Sequence, residues 1–178
     1  MTEQTPPLEY PDIGGTQDGR VPDGFDRLSR ATVAGRGRVA FDRLAEALLR
    51  WGVHRGAGLT VETDGPVAEG REVRLFLPGP LRPLPLTITC RVVYLVDEPG
   101  RRGFAYGTLP GHVEEGEARF LVETDPARDD APVTFTVDAF SRPGLPWVAS
   151  VAPLARLGQE AATQGYLRAA RRIGHRNS

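Results

Sequence analysis

A chain of 178 residues is long enough for one domain with a proper core and short for two. Its hydrophobic fraction of 40% and charged fraction of 25% are ordinary globular values, and a formal net charge of −1 gives no electrostatic reason to expect nucleic acid as a partner. All 22 basic residues are arginine, which excludes lysine Schiff-base chemistry, and a single cysteine, Cys90, excludes a disulfide framework or a cysteine-built zinc site within one chain.

Residues 1–26 are rich in Pro, Gly and acidic residues and follow neither structural period, so an extended arm is expected, with Tyr10 and Ile13 able to pin it to the body. "LSRATVA" (residues 28–34) suits a first strand. "GRVAFDRLAEALLRW" follows, with Val39, Leu44, Leu48 and Trp51 at roughly helical spacing, an amphipathic helix stopped by Gly52. The period then changes to two. "GLTVET" and "REVRLFL" predict short strands. Leu86, Ile88, Cys90, Val92, Tyr94 and Val96 alternate with polar residues in a long one, and "GFAYGTL", "GEARFLVET" and "APVTFTVDAFS" complete a meander. With no helix between these strands, the sheet should be antiparallel. Beyond Pro143 the helical period returns through Trp147, Val151, Leu154, Gly158, Ala161, Gly165, Ala169 and Ile173, a stripe mostly small in its second half. Pro153 suits a first helical turn, and Arg171, Arg172, His175 and Arg176 fit the negative end of a helix dipole.

A sheet with one apolar face must cover it, and the long terminal helix is the evident cover. The expected fold is therefore α+β: a helix-grip, with an antiparallel sheet of six to seven strands wrapped around the C-terminal helix and a short N-terminal helix. Residues 1–26 form the arm and residues 27–178 a single domain. Small residues on the helix permit either close packing or an unfilled cavity.

"GFAYGTLPGHVEEGEARF" (residues 103–120) places Pro110 and Gly111 at the two central positions of a type II turn. His112 then sits at a loop rim, best read as paired to a carboxylate. Glu117 shares a face with Arg119 and Glu123 and reads as solvent-facing. A metal held by His112, Glu114 and Glu117 would need three ligands converging from one turn, and no metal is expected. Gly35 to Ala40 spell GxGxxA between a strand and a helix, with Glu62 near the end of the next strand, where a ribose-binding acid would stand. The absence of further βαβ units argues against a dinucleotide, and no cofactor is expected.

Strand parity turns Phe104, Tyr106 and Thr108 to one side, with Cys90, Val92 and Tyr94, Phe120 and Val122, and Phe135, Val137, Ala139 and Ser141. That is the wall of either a solid core or a pocket for a small apolar molecule. Cys90 reads as a packed small hydrophobe, Arg91 as surface, and His54 as a cap or surface residue. No apolar run approaches the roughly 18 residues of a membrane span and the N-terminus lacks a signal-peptide pattern, so a cytoplasmic location is expected.

"RRGFAYGTLPGHVEEGEARFLVE", with "CRVVYLVDEP" before it, "AFSRPG" after it and "LEYPDIGGT" near the N-terminus, resembles the bacterial and plant family catalogued as domain of unknown function 1990. Element order is also similar to the START and birch-pollen-allergen superfamily, which implies a hydrophobic cavity for small molecules, sometimes with catalysis inside. The family motif brings Tyr106, Thr108, His112, Glu117, Ser141 and Arg142 forward as the polar residues to test. Together with parity, the expected ligand-binding residues are Tyr94, Phe104, Tyr106, Thr108, Ser141 and Arg142. His112 and Glu117 are the candidates should there be catalysis. The expected function is binding of a small, largely apolar or amphipathic molecule. The alternatives are an enzyme using His112 as acid/base, a filled interaction module, and a dinucleotide protein using residues 35–40.

Overall fold

A computed structural model describes residues 6–76, 87–112, 114–144 and 152–175, without the side chains of 87 and 152–158. Seven strands make one sheet: β1 (Asp26–Arg36), β2 (Thr60–Glu62), β3 (Glu72–Phe76), β4 (Thr87–Glu98), β5 (Arg101–Thr108), β6 (Glu114–Glu123) and β7 (Pro132–Pro143). Their spatial order is β1-β7-β6-β5-β4-β3-β2, and every neighbouring pair is antiparallel. Among the described residues four helices accompany them: α1 (Gly15–Asp18), α2 (Gly37–Leu49), α3 (Gly52–Gly56) and α4 (Ala152–Gly174). At 23 residues, α4 is about 35 Å long and lies across the inner face of the sheet. The expected helix-grip is what the chain forms.

The inner face carries the core. Val73, Leu75, Cys90, Val92, Phe104, Tyr106, Phe120, Val122, Phe135 and Val137 pack in one cluster with Tyr166, Leu167 and Ala170 of α4 and Phe41, Leu44 and Leu48 of α2. Cys90 is fully buried, as expected of a small hydrophobe, and burial pushes its thiol pKa up. The small residues of α4 serve close packing against α3. A Cβ added at Gly165 would lie 3.3 Å from Ala57, and one at Gly56 would lie 3.0 Å from Ala169. Ala161, expected on that stripe, is exposed. Trp147 and Val151, and the surroundings of Leu154 and Gly158, lie outside the described residues, as do Leu86 and Arg176.

The first helix departs from expectation at both ends of its stripe. Val39 is exposed, while Ala40, Phe41, Leu44, Ala45 and Leu48 form the buried face. Trp51 is not helical: it takes φ +63 and ends α2. Gly52 opens α3 instead of terminating a helix, because there the chain folds back so tightly that a Cβ would sit 2.8 Å from the Ala47 carbonyl oxygen. Trp51 keeps its uncommon conformation because its indole is buried and donates from Nε1 to the Gly65 carbonyl at 3.1 Å.

The GxGxxA stretch is a junction. A Cβ at Gly35 would lie 2.8 Å from Ala40 and one at Gly37 2.8 Å from the Asp129 carbonyl oxygen, so these glycines let the α2 entrance close against the β6–β7 loop. The sheet it joins is antiparallel, and the dinucleotide reading of residues 35–40 falls with the βαβ unit it required.

The arm is more ordered than expected. Residues 6–25 lie as a strap over the outer face, with Tyr10, Gly15, Thr16 and Phe25 buried. Tyr10 and Phe25 meet the Phe140 ring edge-on at 5.8 and 5.6 Å. Tyr10 pins the strap as expected, whereas Ile13 is half exposed and does not.

Candidate functional site

The deepest part of the inner face is an aromatic floor around His54. The short helix α3 turns this imidazole inward, where it is wholly buried, contrary to its expected place at the surface. Phe120 lies 4.7 Å away centroid to centroid, Tyr166 5.0 Å, Trp51 5.3 Å, and Phe104 and Tyr106 both 5.9 Å. Neither ring nitrogen has a hydrogen-bond partner. Burial pushes the imidazole pKa down to about 3, so His54 is neutral near pH 7. Burial raises the phenol pKa values of both Tyr106 and Tyr166.

Above the floor the inner face becomes small. Ala118 pairs with Ala139, and Gly116 with Ser141, across β6 and β7. On α4, Ala162 and Thr163 lie between Tyr166, which touches Phe120, and Gln159, which reaches Ser141 of β7. At that end the lining turns polar. Gln159 Nε2 donates to Ser141 Oγ at 3.0 Å and to Glu114 Oε2 at 3.4 Å. Burial raises the Glu114 pKa. Thr108 joins the neighbouring strand instead of facing open space: its Oγ1 accepts from the Gly116 N–H at 3.0 Å and donates to the Gly116 carbonyl at 3.3 Å.

The expected type II turn is present. His112 N–H donates to the Leu109 carbonyl at 3.3 Å and Gly111 has φ +86. His112 is not paired to a carboxylate. Its Nδ1 lies against the Glu114 backbone, 2.8 Å from the N–H and 2.5 Å from the carbonyl, while Nε2 is buried without a partner. Burial lowers its pKa. This histidine clasps the turn that leads into Glu114.

Three expected site residues belong to the opposite face. A bulge between Val92 and Tyr94 breaks the alternation of β4, so Tyr94 pairs with Ala105 and turns outward, its hydroxyl 2.7 Å from Thr16 Oγ1. Arg142 follows the inward Ser141, faces outward, pairs with Glu115 at 2.9 Å and lies over the Phe25 ring. Glu117 does share the outer face with Arg119, yet it is 2% exposed. Its carboxylate accepts from the Tyr10 hydroxyl at 2.8 Å, Gly14 N–H at 2.7 Å, Thr16 N–H at 3.0 Å and the Thr16 hydroxyl. Glu117 is the anchor of the strap. It cannot join His112 and Glu114 on one metal, and among the described residues no three His, Cys, Asp or Glu side chains converge on a metal position. Arg91, expected at the surface, is only 14% exposed and ion-paired to Glu72 on the outer face.

Phe104, Tyr106 and Ser141 therefore stand on the inner face as expected, while His54, Glu114, Gln159 and Tyr166 enter the site unannounced. Glu114 had the right parity, two residues before Gly116. His54 and Tyr166 gave no signal, because only the packing of α3 and α4 turns them to the sheet. An open recess of about 740 Å³ also lies beside α2, lined by Asp42, Glu46, Arg50, Trp51, Pro66 and Arg102 among others.

The match to domain of unknown function (DUF1990) runs over residues 9–169. The chain belongs to that family. A UPF0548 protein of Deinococcus radiodurans is 38% identical over 178 residues, covering 93% of this chain and 86% of the relative. Two solved structures share the fold at low identity. The truncated norcoclaurine synthase of Thalictrum flavum is 17% identical with a TM-score of 0.54, over 89% of this chain and 99% of that one. The ZhuI aromatase/cyclase of Streptomyces sp. R1128 is 16% identical with a TM-score of 0.53, over 85% and 94%. The DUF1990 chain thus shares the helix-grip fold of these two structures. Among its described residues no helix is long and apolar enough to cross a membrane.

Proposed function

We propose that this DUF1990 protein binds a small, largely apolar molecule with one polar end between the sheet and α4. The observation that carries the reading is the gradient along the inner face. Aromatic rings form the floor, alanines and glycine the waist, and Glu114, Ser141 and Gln159 the rim. Small side chains opposed on both walls leave room that a pocket can use, together with a few polar groups that fix orientation. The two enzymes that share its architecture give the reading precedent in the fold class and no more.

Nile red, a neutral apolar dye, tests the proposal. A saturable rise in its fluorescence on titration into the protein is expected. Ala118→Phe, which fills the waist, should abolish that rise without loss of thermal stability. If the waist is instead solid, the added ring forces overpacking that typically costs about 1–3 kcal/mol. A destabilised variant, with dye uptake absent from the parent protein, would refute the pocket.

A further inference from the structure

His54 deepens the pocket reading above and rests on it. Its imidazole is wholly buried, yet neither ring nitrogen has a partner among the described residues. A neutral imidazole offers one donor and one acceptor, and leaving both unpaired away from water is destabilising. The rings of Trp51, Phe104, Tyr106, Phe120 and Tyr166 all lie within 5.9 Å of it, centroid to centroid, and would pack as well around a phenylalanine. Stability gives no reason for a histidine here. A buried polar group that breaks the packing rule at the floor of a pocket marks a contact for a ligand to complete.

The open part of the inner face ends just short of this ring. Ala118 and Ala162 are half-buried, Tyr106 and Tyr166 each keep 8% of their surface exposed, and His54, packed against both tyrosines, keeps none. The tyrosines thus screen the imidazole from the waist. A charged group brought past them would leave water with no counter-charge bonded at the site, at a large cost. A neutral hydroxyl meets either nitrogen, donating to one or accepting from the other. Carried on an aromatic body, it also suits a cage of rings that pack edge-on or tilted.

We infer that His54 is the deep recognition residue of the pocket: the hydroxyl of an aromatic ligand that turns Tyr166 aside bonds to the imidazole. The ligands selected are phenols and similar neutral aromatic alcohols.

Displacement of Nile red at pH 7 by 2-naphthol and by 2-methylnaphthalene tests this, since the two differ by a hydroxyl against a methyl. In a plain apolar pocket the methyl compound displaces at the lower concentration, because the hydroxyl leaves water for nothing in return. With His54 as its partner, 2-naphthol should displace the dye at about tenfold lower concentration than 2-methylnaphthalene. His54→Phe should fold, melt no lower than the parent protein and reverse that order. In the parent protein the side-chain nitrogen resonances of His54 should shift with 2-naphthol and not with 2-methylnaphthalene, a readout that does not depend on the variant. The inference is overturned if the parent prefers the methyl compound, if His54→Phe keeps the preference for the hydroxyl, or if the His54 resonances do not respond. Nile red uptake together with any of these results leaves a pocket without this contact, whereas no uptake removes the pocket and the inference alike.

Discussion

Glu114 and Glu117 stand three residues apart on one strand, so their side chains must leave opposite faces of the sheet. One meets Gln159 of α4 and the other is buried under the strap. Among the described residues Glu117 forms no ion pair; two backbone N–H groups and two hydroxyls donate to its carboxylate. Hydrogen bonds to a charged group contribute about 1.5–3 kcal/mol each, and they act together here. Glu117→Gln turns an amide N–H₂ toward donors and should cost about 2–4 kcal/mol, measurable by urea denaturation. Tyr10→Phe, which removes one donor, should cost about 1–2 kcal/mol. His54 makes stability depend on pH. Its folded pKa of about 3 lies below the ordinary 6.5, so the unfolded chain binds its proton first. Stability from this residue is therefore complete above pH 6.5 and falls by up to about 1.4 kcal/mol per pH unit on acidification toward pH 3. The lowered His112 acts in the same sense and the raised Glu114 in the opposite one. His54→Phe should flatten the slope between pH 7 and 5 in parallel denaturation series, and equal slopes would show that His54 is not its source. Neither residue's role was legible beforehand. The letters around Glu117 fix its face, but not that the chain's own N-terminus covers that face.

At the scale of elements, irregularities decided what alternation could not. The bulge in β4 adds a residue without interrupting the hydrophobic run, so counting by twos put Tyr94 on the wrong wall. The family motif likewise brought in Arg142 beside Ser141, although adjacent strand residues cannot share a face. The strap and the sheet meet closely at Gly107, where an added Cβ would lie 2.0 Å from the Tyr10 hydroxyl oxygen. Gly107→Ala should therefore lift the strap while the sheet remains paired. Trypsin would then cut at the exposed Arg20 faster than in the parent protein, leaving the body intact. Unchanged cleavage would mean that the strap has another hold. The existence of α2 and α4 was readable from periodicity, and that of the short α1 and α3 was not. The Trp51 turn was not, since its positive φ is maintained by burial of the indole and by Gly65, 14 residues away.

For the whole molecule, the grip encloses one core between sheet and α4, and the strap adds a thin layer on the other side. Deleting residues 1–20 should leave the helix-grip assembled, because the main core lies wholly within the rest of the chain. It should also lower the melting temperature, since Glu117 and Phe140 lose their cover. Circular dichroism melts check both parts, and a chain that fails to fold would make the strap part of the domain's nucleus.

Strand period, helix period and their order were local properties of the sequence. They were sufficient for an antiparallel sheet under a terminal helix, because an apolar face two residues in period and one of 3.6 have few ways to bury each other. The Pro110-Gly111 turn was local too, since it depends on two residues' backbone preferences. Tertiary structure alone decided the site. Burial of His54 depends on α3 packing against α4, the fate of Glu117 on an arm about 100 residues earlier in the chain, and the polar end of the inner face on Gln159 meeting Ser141 and Glu114. Each of these is a contact between segments distant in sequence, and no pattern within either segment encodes the other.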